Sequence, residues 1–317
     1  MSTDTLQKYV QKMKCLRIDR AHKDAPHKPL LLLAVIELIE QGQICENRIY
    51  FSPALAETVM KYWVEVTDRR FNIAMPFFHL KSDEFWHLHP NPGYKKVLEN
   101  TRQIRTISGI QEVIAYASLD DDFFVLLTDA DNRDIIRQTL IRTYFSNFQQ
   151  VIESLIAERQ QIGEYGQLLI HEVEHPFSFE RPTAPTPKEE PIRSAGFRKA
   201  IMRLYKYTCA VCRLCIITTD GESATEAAHI IPFRISQNDD VRNGVSLCKL
   251  HHWAFDRGLI SLSKTYKVIV SRLFVEQGPI EWKLTKLRGK SILLPEHDQL
   301  YPAQDALDWH REEVFRK

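Results

Sequence analysis

The chain has 317 residues, 42 Lys and Arg against 41 Asp and Glu, a net charge of +1 at pH 7 and 44% hydrophobic residues. That is length for about two domains of roughly 150 residues each, and the balance of charge excludes a globally basic nucleic-acid binder, so a polyanion would have to be met by local patches. No run of ~18 apolar residues spans a membrane, and the opening MSTDTLQKYVQKMK has no apolar signal core, which predicts a cytoplasmic protein with no membrane partner. Six cysteines in such a chain read as metal ligands or buried thiols before disulfides; Cys15 and Cys45 stand apart and read as plain buried or half-buried thiols.

Residues 1–20 predict a helix, with Leu6, Val10, Met13 and Leu16 near helical period. A second follows in HKPLLLLAVIELIE. Pro29 suits its first turn, the near-continuous apolar run to Ile39 predicts burial on most sides, and Gly42 suits its C-terminal stop. NRIYFS reads as a short strand. Ser52 as cap and Pro53 at the first position open a third helix to about Val66. In 68–90, FWHLHP alternates like a strand and MPFFHL reads as an ordered loop or strand edge. Residues 108–145 read as helical, with Asp131 a cap before IIRQTLIRTYF. The first domain is therefore helix-rich α+β.

The pairing of APHKPLLLL with MPFFHL and FWHL resembles the sulfur-binding domain of phosphorothioate-dependent (type IV) restriction endonucleases. In that family an HKP- or HRP-type segment and a Y-P-F-type segment build one pocket that takes the sulfur of a phosphorothioated DNA backbone against a proline and apolar atoms, while basic groups hold the phosphates. The resemblance implies that His27 and Lys28 supply the first segment, and Met75, Pro76 and His79 the second. A second function class compatible with the residues is a reader of a methylated or otherwise modified base, whose aromatic cage would draw on Phe71, Phe77, Phe78 or Trp86.

In HEVEHPFSFERPTAPTPKEEPIR four prolines between Arg181 and Arg193 favour an extended, semi-rigid spacer. This predicts a reader domain over 1–170, a linker over 171–193 and a second domain over 194–317. Ser194–Tyr207 reads as a helix with a basic edge of Arg198, Lys199, Arg203 and Lys206. Beyond it CAVCRLC offers Cys209 and Cys212, or Cys212 and Cys215, as one close pair, and Cys248 with His251 forms another. Two such pairs suit a closed tetrahedral structural Zn²⁺ site, which a module too short to bury much apolar surface would need.

Within that frame His229 ends the strand TEAAHI, Asn243 precedes Gly244 in a turn leading into VSLCKLHHWAFD, read as a helix, and His252 directly follows His251. The stretch AHIIPF to NGVSLCKLHHWAFDRGL resembles the HNH modules of bacterial restriction endonucleases. The resemblance favours Cys209, Cys212, Cys248 and His251 as the zinc ligands and implies a zinc-stabilised ββα-metal nuclease domain. It also implies His229 as general base, Asn243 as the residue that orients it, and His252 as a ligand of a catalytic divalent ion, Mg²⁺, Mn²⁺ or another. Ala228 stands where many such sites carry a further acidic or histidine ligand. Asp256, one helical turn after His252, is the candidate second ligand, with Glu226 its rival. Arg234, Arg242 and Lys249 are candidate phosphate contacts. GLISLSKTYKVIVS reads as a hairpin and the tail from Pro295 as a docked helix. The whole reads as a modification-dependent endonuclease acting on double-stranded, phosphorothioated DNA. A double-strand break then needs a homodimer or two sequential nicks. The class furthest from this is a non-catalytic DNA-binding protein that keeps the zinc fold.

Overall fold

A computed structural model describes residues 3–18, 26–69, 72–171, 173, 176–177, 190–218 and 222–317. The chain divides into two compact units, one of residues 1–157 with 217–222 and one of residues 158–216 with 223–317. Both mix helices with small antiparallel sheets, an α+β architecture. The predicted linker falls largely outside the described residues.

The first unit is built around a buried helix. α1 (Thr3–Lys14) precedes α2 (His27–Glu40), in which every residue from Lys28 to Ile39 is buried. α2 ends in a Schellman arrangement. Gly42 lies at φ +61°, its N–H donates to Ile39 O and Gln43 N donates to Leu38 O, so the last carbonyls are satisfied by a residue with no Cβ to clash. The buried Glu37 carboxylate accepts from Tyr62 Oη at 2.8 Å and Gln41 Nε2 at 2.7 Å, which offsets the cost of desolvating it. α3 (Pro53–Val66) starts as predicted, with Ser52 Oγ accepting from Leu55 N. Cys15 and Cys45, expected to be buried or half-buried, are both exposed.

Three expectations fail here, each for a local reason. NRIYFS forms only an isolated bridge, Ile49 to Ala117, because Ser52 and Pro53 turn the chain into α3 before a ladder can extend. MPFFHL is helical: α4 (Ala74–His79) is opened by Asn72 Oδ1, which accepts from Ala74 N, and Pro76 lies in its first turn, where a missing N–H costs nothing. Residues 108–145 are not all helix. After α5 (Lys95–Asn100) and α6 (Ile107–Val113), β2 (Ile114–Leu119) pairs antiparallel with β1 (Trp86–Pro90), Trp86 opposite Leu119 and His89 opposite Tyr116. α7 (Asp121–Thr128) and α8 (Ala130–Tyr144) follow, and the cap of α8 is Asp129, not Asp131.

The division between units falls within α9 (Gln149–His171). In the second unit α10 (Glu190–Leu204) begins four residues before the predicted start, with Pro191 in its first turn, and stops ahead of Lys206 and Tyr207, both at positive φ. β3 (Thr225–His229) pairs antiparallel with β4 (Gly244–Cys248), His229 opposite Gly244 and Thr225 opposite Cys248; the short α11 (Phe233–Ser236) lies between them. The first third of the predicted helix VSLCKLHHWAFD is therefore strand. Its buried Val245 and Leu247 extend β4, and α12 (Lys249–Asp256) starts only after Cys248. β5 (Ile260–Leu262) and β6 (Val268–Val270) form the expected hairpin, and α13 (Gln304–Glu313) is the tail helix.

At Gly244 α10 packs tightly against the sheet. A Cβ there would lie 2.8 Å from Phe197 Cζ and closer still to Ile201 Cδ1. Gly244→Ala is expected to cost about 1–3 kcal/mol through overpacking, measured as a shift in the urea midpoint, and to displace the Phe197 ring on which His229 rests.

Candidate active site and metal centre

Cys209 and Cys212 sit on a tight turn in which Cys209 N donates to Leu214 O and Arg213 N donates to Cys209 O. Ala210 N donates to Ser246 O, which ties this turn to β4. Cys248 and His251 come from the junction of β4 and α12. The four ligand atoms lie within 4.8 Å of one another. Cys212 Sγ and Cys248 Sγ are 3.9 Å apart, and His251 Nδ1 is 3.5 Å from Cys209 Sγ and 3.1 Å from Cys248 Sγ. The edges of a tetrahedron with metal–sulfur bonds of about 2.3 Å and a shorter metal–nitrogen bond run to about 3.5–3.8 Å, close to these separations, so the donor set suits a metal ion. Cys215 is exposed and outside the cluster. Burial pushes the His251 imidazole down, but its contacts with Cys209, Cys212 and Cys248 outweigh this and push it up to about 11.

His229, at the end of β3, and His252 and Asp256, on α12, line one cleft of about 610 Å³ together with Phe233, Arg234 and Trp309. The His229 ring stacks on Phe197 at 3.8 Å, and its Nε2 lies 2.9 Å from Asp239 Oδ1. His252 Nδ1 lies 2.9 Å from Glu226 Oε2, and its Nε2 lies 3.6 Å from Asp256 Oδ2. The two carboxylates therefore address different ring nitrogens. Burial raises the Asp256 carboxyl, His252 and Arg257 lower it and Glu226 raises it, with a net upward shift. Asn243 is fully buried. Its Oδ1 accepts from Ile231 N at 2.9 Å, and its Nδ2 donates to Ile231 O and Asn238 O, each at 3.0 Å. It thus holds the backbone two residues after His229. Of the candidate phosphate contacts, Arg234 and Lys249 are exposed, whereas Arg242 is tied to Asp240 through its backbone N, Nε and Nη2.

In the first unit, α2 and α4 bring the two predicted pocket segments together. Lys28 Nζ donates to Arg17 O at 2.7 Å, Ser82 Oγ at 2.9 Å and Asp83 Oδ2 at 2.6 Å, and Ser82 Oγ donates to His79 O. Lys28 and Pro76 are buried, while Met75 and His79 are half-exposed. The half-buried His27 ring lies 4.5 Å from Trp63. Burial and then Arg69 lower its basicity, and burial, Lys28 and Lys81 lower that of His79, so both imidazoles favour the neutral form. Two exposed cations absent from the sequence reading stand beside this surface: Arg69, and Lys81 with Nζ 3.8 Å over the Phe78 ring. Among the described residues, the candidates for the alternative base cage do not line an open site. Phe77, Phe78 and Trp86 are buried in the core, with Trp86 Nε1 donating to Phe77 O, and Phe71 lies outside the described residues.

Residues 209–263 match the family described as HNH endonuclease. Residues 4–158 match that described as ScoMcrA-like, DNA sulfur-binding domain. The chain thus pairs a segment that matches a DNA sulfur-binding family with one that matches an HNH endonuclease family. Among solved structures, one described as a modification dependent TagI restriction endonuclease is similar over 40% of this chain and 40% of its own, at 23% identity and a TM-score of 0.30. No curated protein matches the chain. Among the described residues, no helix is long and apolar enough to cross a membrane.

In the HNH module the residue that sequence reasoning missed is Asp239. Its neighbour Asp240 is equally acidic and equally buried but faces Arg242, so only the geometry separates the two.

Cys248→Ser is expected to lower the metal content of the purified protein and to melt the HNH module at lower temperature, read by metal analysis beside calorimetry. A second expectation concerns the wall of the cleft. His310 is buried between Ser261 Oγ and Phe255 O. Burial, against the Phe255 carbonyl and with Arg311, lowers it from 6.5 to about 4. Because the unfolded chain takes up this proton first, His310 costs nothing above pH 6.5 and its stabilising contribution is lost as pH falls from 6.5 towards 4. Urea midpoints across that range should fall, and His310→Gln should flatten the slope.

Proposed function

We propose that the chain is a modification-dependent DNA endonuclease, in which a reader domain over 1–170 binds phosphorothioated double-stranded DNA in the cytoplasm and an HNH domain over 194–317, joined by the linker 171–193, hydrolyses phosphodiester bonds nearby. The observation that carries this reading is the convergence of His229, His252 and Asp256 on one cleft beside a four-donor metal cluster, in a chain whose other half matches a DNA sulfur-binding domain.

Cys209, Cys212, Cys248 and His251 hold a structural Zn²⁺, which fastens the turn before β3 to the start of α12. His229 takes a proton from the water that attacks phosphorus. His252 Nε2 and Asp256 are the ligands for a divalent ion, while Glu226 accepts from His252 Nδ1 and sets the ring, as carboxylates behind metal-bound histidines do. When bound, Mg²⁺ or Mn²⁺ stabilises charge on the phosphate and on the leaving 3′ oxygen. Asn243 fixes the loop that follows His229.

Met75, His79 and His27 form the rim that meets the sulfur, and Arg69 and Lys81 meet neighbouring phosphates. Lys28 and Pro76 brace the pocket from behind, Lys28 through its ion pair with Asp83. Sulfur is larger, more polarisable and less hydrated than the oxygen it replaces. Apolar contact with it is worth about 1–3 kcal/mol per contact group over an ordinary phosphate, on the scale of hydrophobic pocket selectivity. One HNH module cuts one strand, so a double-strand break takes a homodimer or two sequential nicks.

Two variants separate the halves of this reading. His229→Ala should reduce cleavage by about 10²-fold or more and leave binding to thio-DNA intact. Met75→Glu should abolish the preference for thio-DNA in a binding titration and leave the metal content unchanged. Cleavage that survives the first removes His229 from the chemistry; a thio-preference that survives the second moves the pocket elsewhere.

A further inference from the structure

The least expected feature of the cleft is the carboxylate behind His229. The Asp239 side chain is only 3% exposed, and both of its oxygens are engaged. Oδ1 lies 2.9 Å from His229 Nε2. Oδ2 accepts from Arg193 Nη1 and, at 3.3 Å, from Tyr165 Oη. Arg193 is itself largely buried, with its guanidinium 3.4 Å above the Phe233 ring. Asn243 reaches the same place from below, since its Nδ2 bonds both to Ile231 O, two residues after His229, and to Asn238 O, next to Asp239. The histidine and the carboxylate are thus held in one fixed relation by a single side chain.

The chemistry of the donors then decides the tautomer. A carboxylate paired with a guanidinium stays ionised and can only accept. The ring nitrogen facing it, Nε2, must therefore carry hydrogen, and the lone pair is left on Nδ1. Stacking on Phe197 at an interplanar angle of 9° removes the remaining freedom of the ring. With 21% of its side chain exposed, His229 still opens to the cleft.

We infer that Asp239 is the positioning residue of this site: it fixes His229 as the Nε2–H tautomer with Nδ1 as the basic atom, and Arg193 and Tyr165 hold Asp239 in turn. The inference rests on the reading of His229 as general base. In the reaction the proton of the attacking water passes to Nδ1 as the water oxygen bonds to phosphorus. The bond to the 3′ oxygen breaks with its electron pair left on that oxygen, which takes a proton from solvent water to become the 3′-hydroxyl. Nδ1 later returns its proton to solvent, and the Nε2 hydrogen stays on its nitrogen throughout. The imidazolium so formed is stabilised by the carboxylate behind it, a benefit that exists only once the proton has moved. Neither Tyr165 nor Arg193 touches the reacting atoms. Both lie outside the segment with the HNH match, on α9 and α10, so the site is complete only with helices that precede the cysteine turn.

The test uses the full chain, a phosphorothioated duplex and ¹⁵N-histidine labelling, with the His229 signals identified by their loss in His229→Ala. The wild type should show the Nε2–H tautomer. In Asp239→Asn the amide can offer a hydrogen to Nε2, so the Nδ1–H form should gain, kcat should fall by about 10²–10⁴-fold and KM should move little. Because this variant leaves Arg193 without its anion, the double variant Arg193→Gln with Asp239→Asn is measured beside it. That pair should regain the melting temperature and not the rate, which separates positioning from mere stability. An Asp239→Asn enzyme with the wild-type rate, a rate regained with the melting temperature, or a wild-type His229 in the Nδ1–H form overturns the inference. If His229→Ala itself cuts at the wild-type rate, the base assignment falls and takes this role with it; a slow His229→Ala beside an unimpaired Asp239→Asn removes the Asp239 role alone.

Discussion

Everything in the second unit depends on a single closure, the approach of the Cys209 and Cys212 turn to Cys248 and His251 at the head of α12. The sheet there has only two strands, β3 and β4, and the helix after them is eight residues long. Elements this small are marginal in water on their own. The four-donor cluster adds a local tie to the apolar core at the junction between β4 and α12. It also fixes direction: with His251 turned inward to the sulfurs, the next residue on the helix, about 100° round, faces the cleft. That residue is His252. The β3–β4 register then carries His229 to the position opposite Gly244, and α10 packs so closely on that glycine that Phe197 becomes the floor beneath the imidazole.

The first unit solves a different problem by ordinary means. α2 is apolar all round and is covered on every side, so its few polar groups need internal partners. Glu37 has Tyr62 and Gln41, and Lys28 has Asp83, Ser82 and a main-chain carbonyl. A lysine that deep with three acceptors is a brace, and its removal would leave Asp83 buried without its cation, a costly state. The surface offered to a ligand is what lies around it: Met75 and His79 half-exposed, two imidazoles held towards neutrality, and cations at the edge.

The cysteine spacing and the order of His229, Asn243 and His252 made the metal cluster and the cleft legible in the sequence, because ligands and acid–base groups are constrained by residue type as well as by position. Patterns of apolarity were less reliable. MPFFHL has the aromatic richness of a strand, and nothing in its composition shows that Asn72 will cap a helix two residues on. β2 was hidden between helices although IAYASL partly alternates, since six residues are too few for either period to dominate. The start of α12 was misplaced because a fully buried strand such as GVSLC has no polar face to betray it. Asp239 was out of reach for another reason. Its meaning lies in which way a side chain points within a loop, and it stands beside an identical residue that points elsewhere.

The most direct test of the account is cleavage by the wild-type protein of two otherwise identical duplexes, one phosphorothioated and one not, with Mg²⁺ or Mn²⁺ present. The account predicts that only the thio-DNA is cut and that chelation stops the reaction. Equal cutting of both duplexes would contradict the coupling of a sulfur reader to an HNH nuclease.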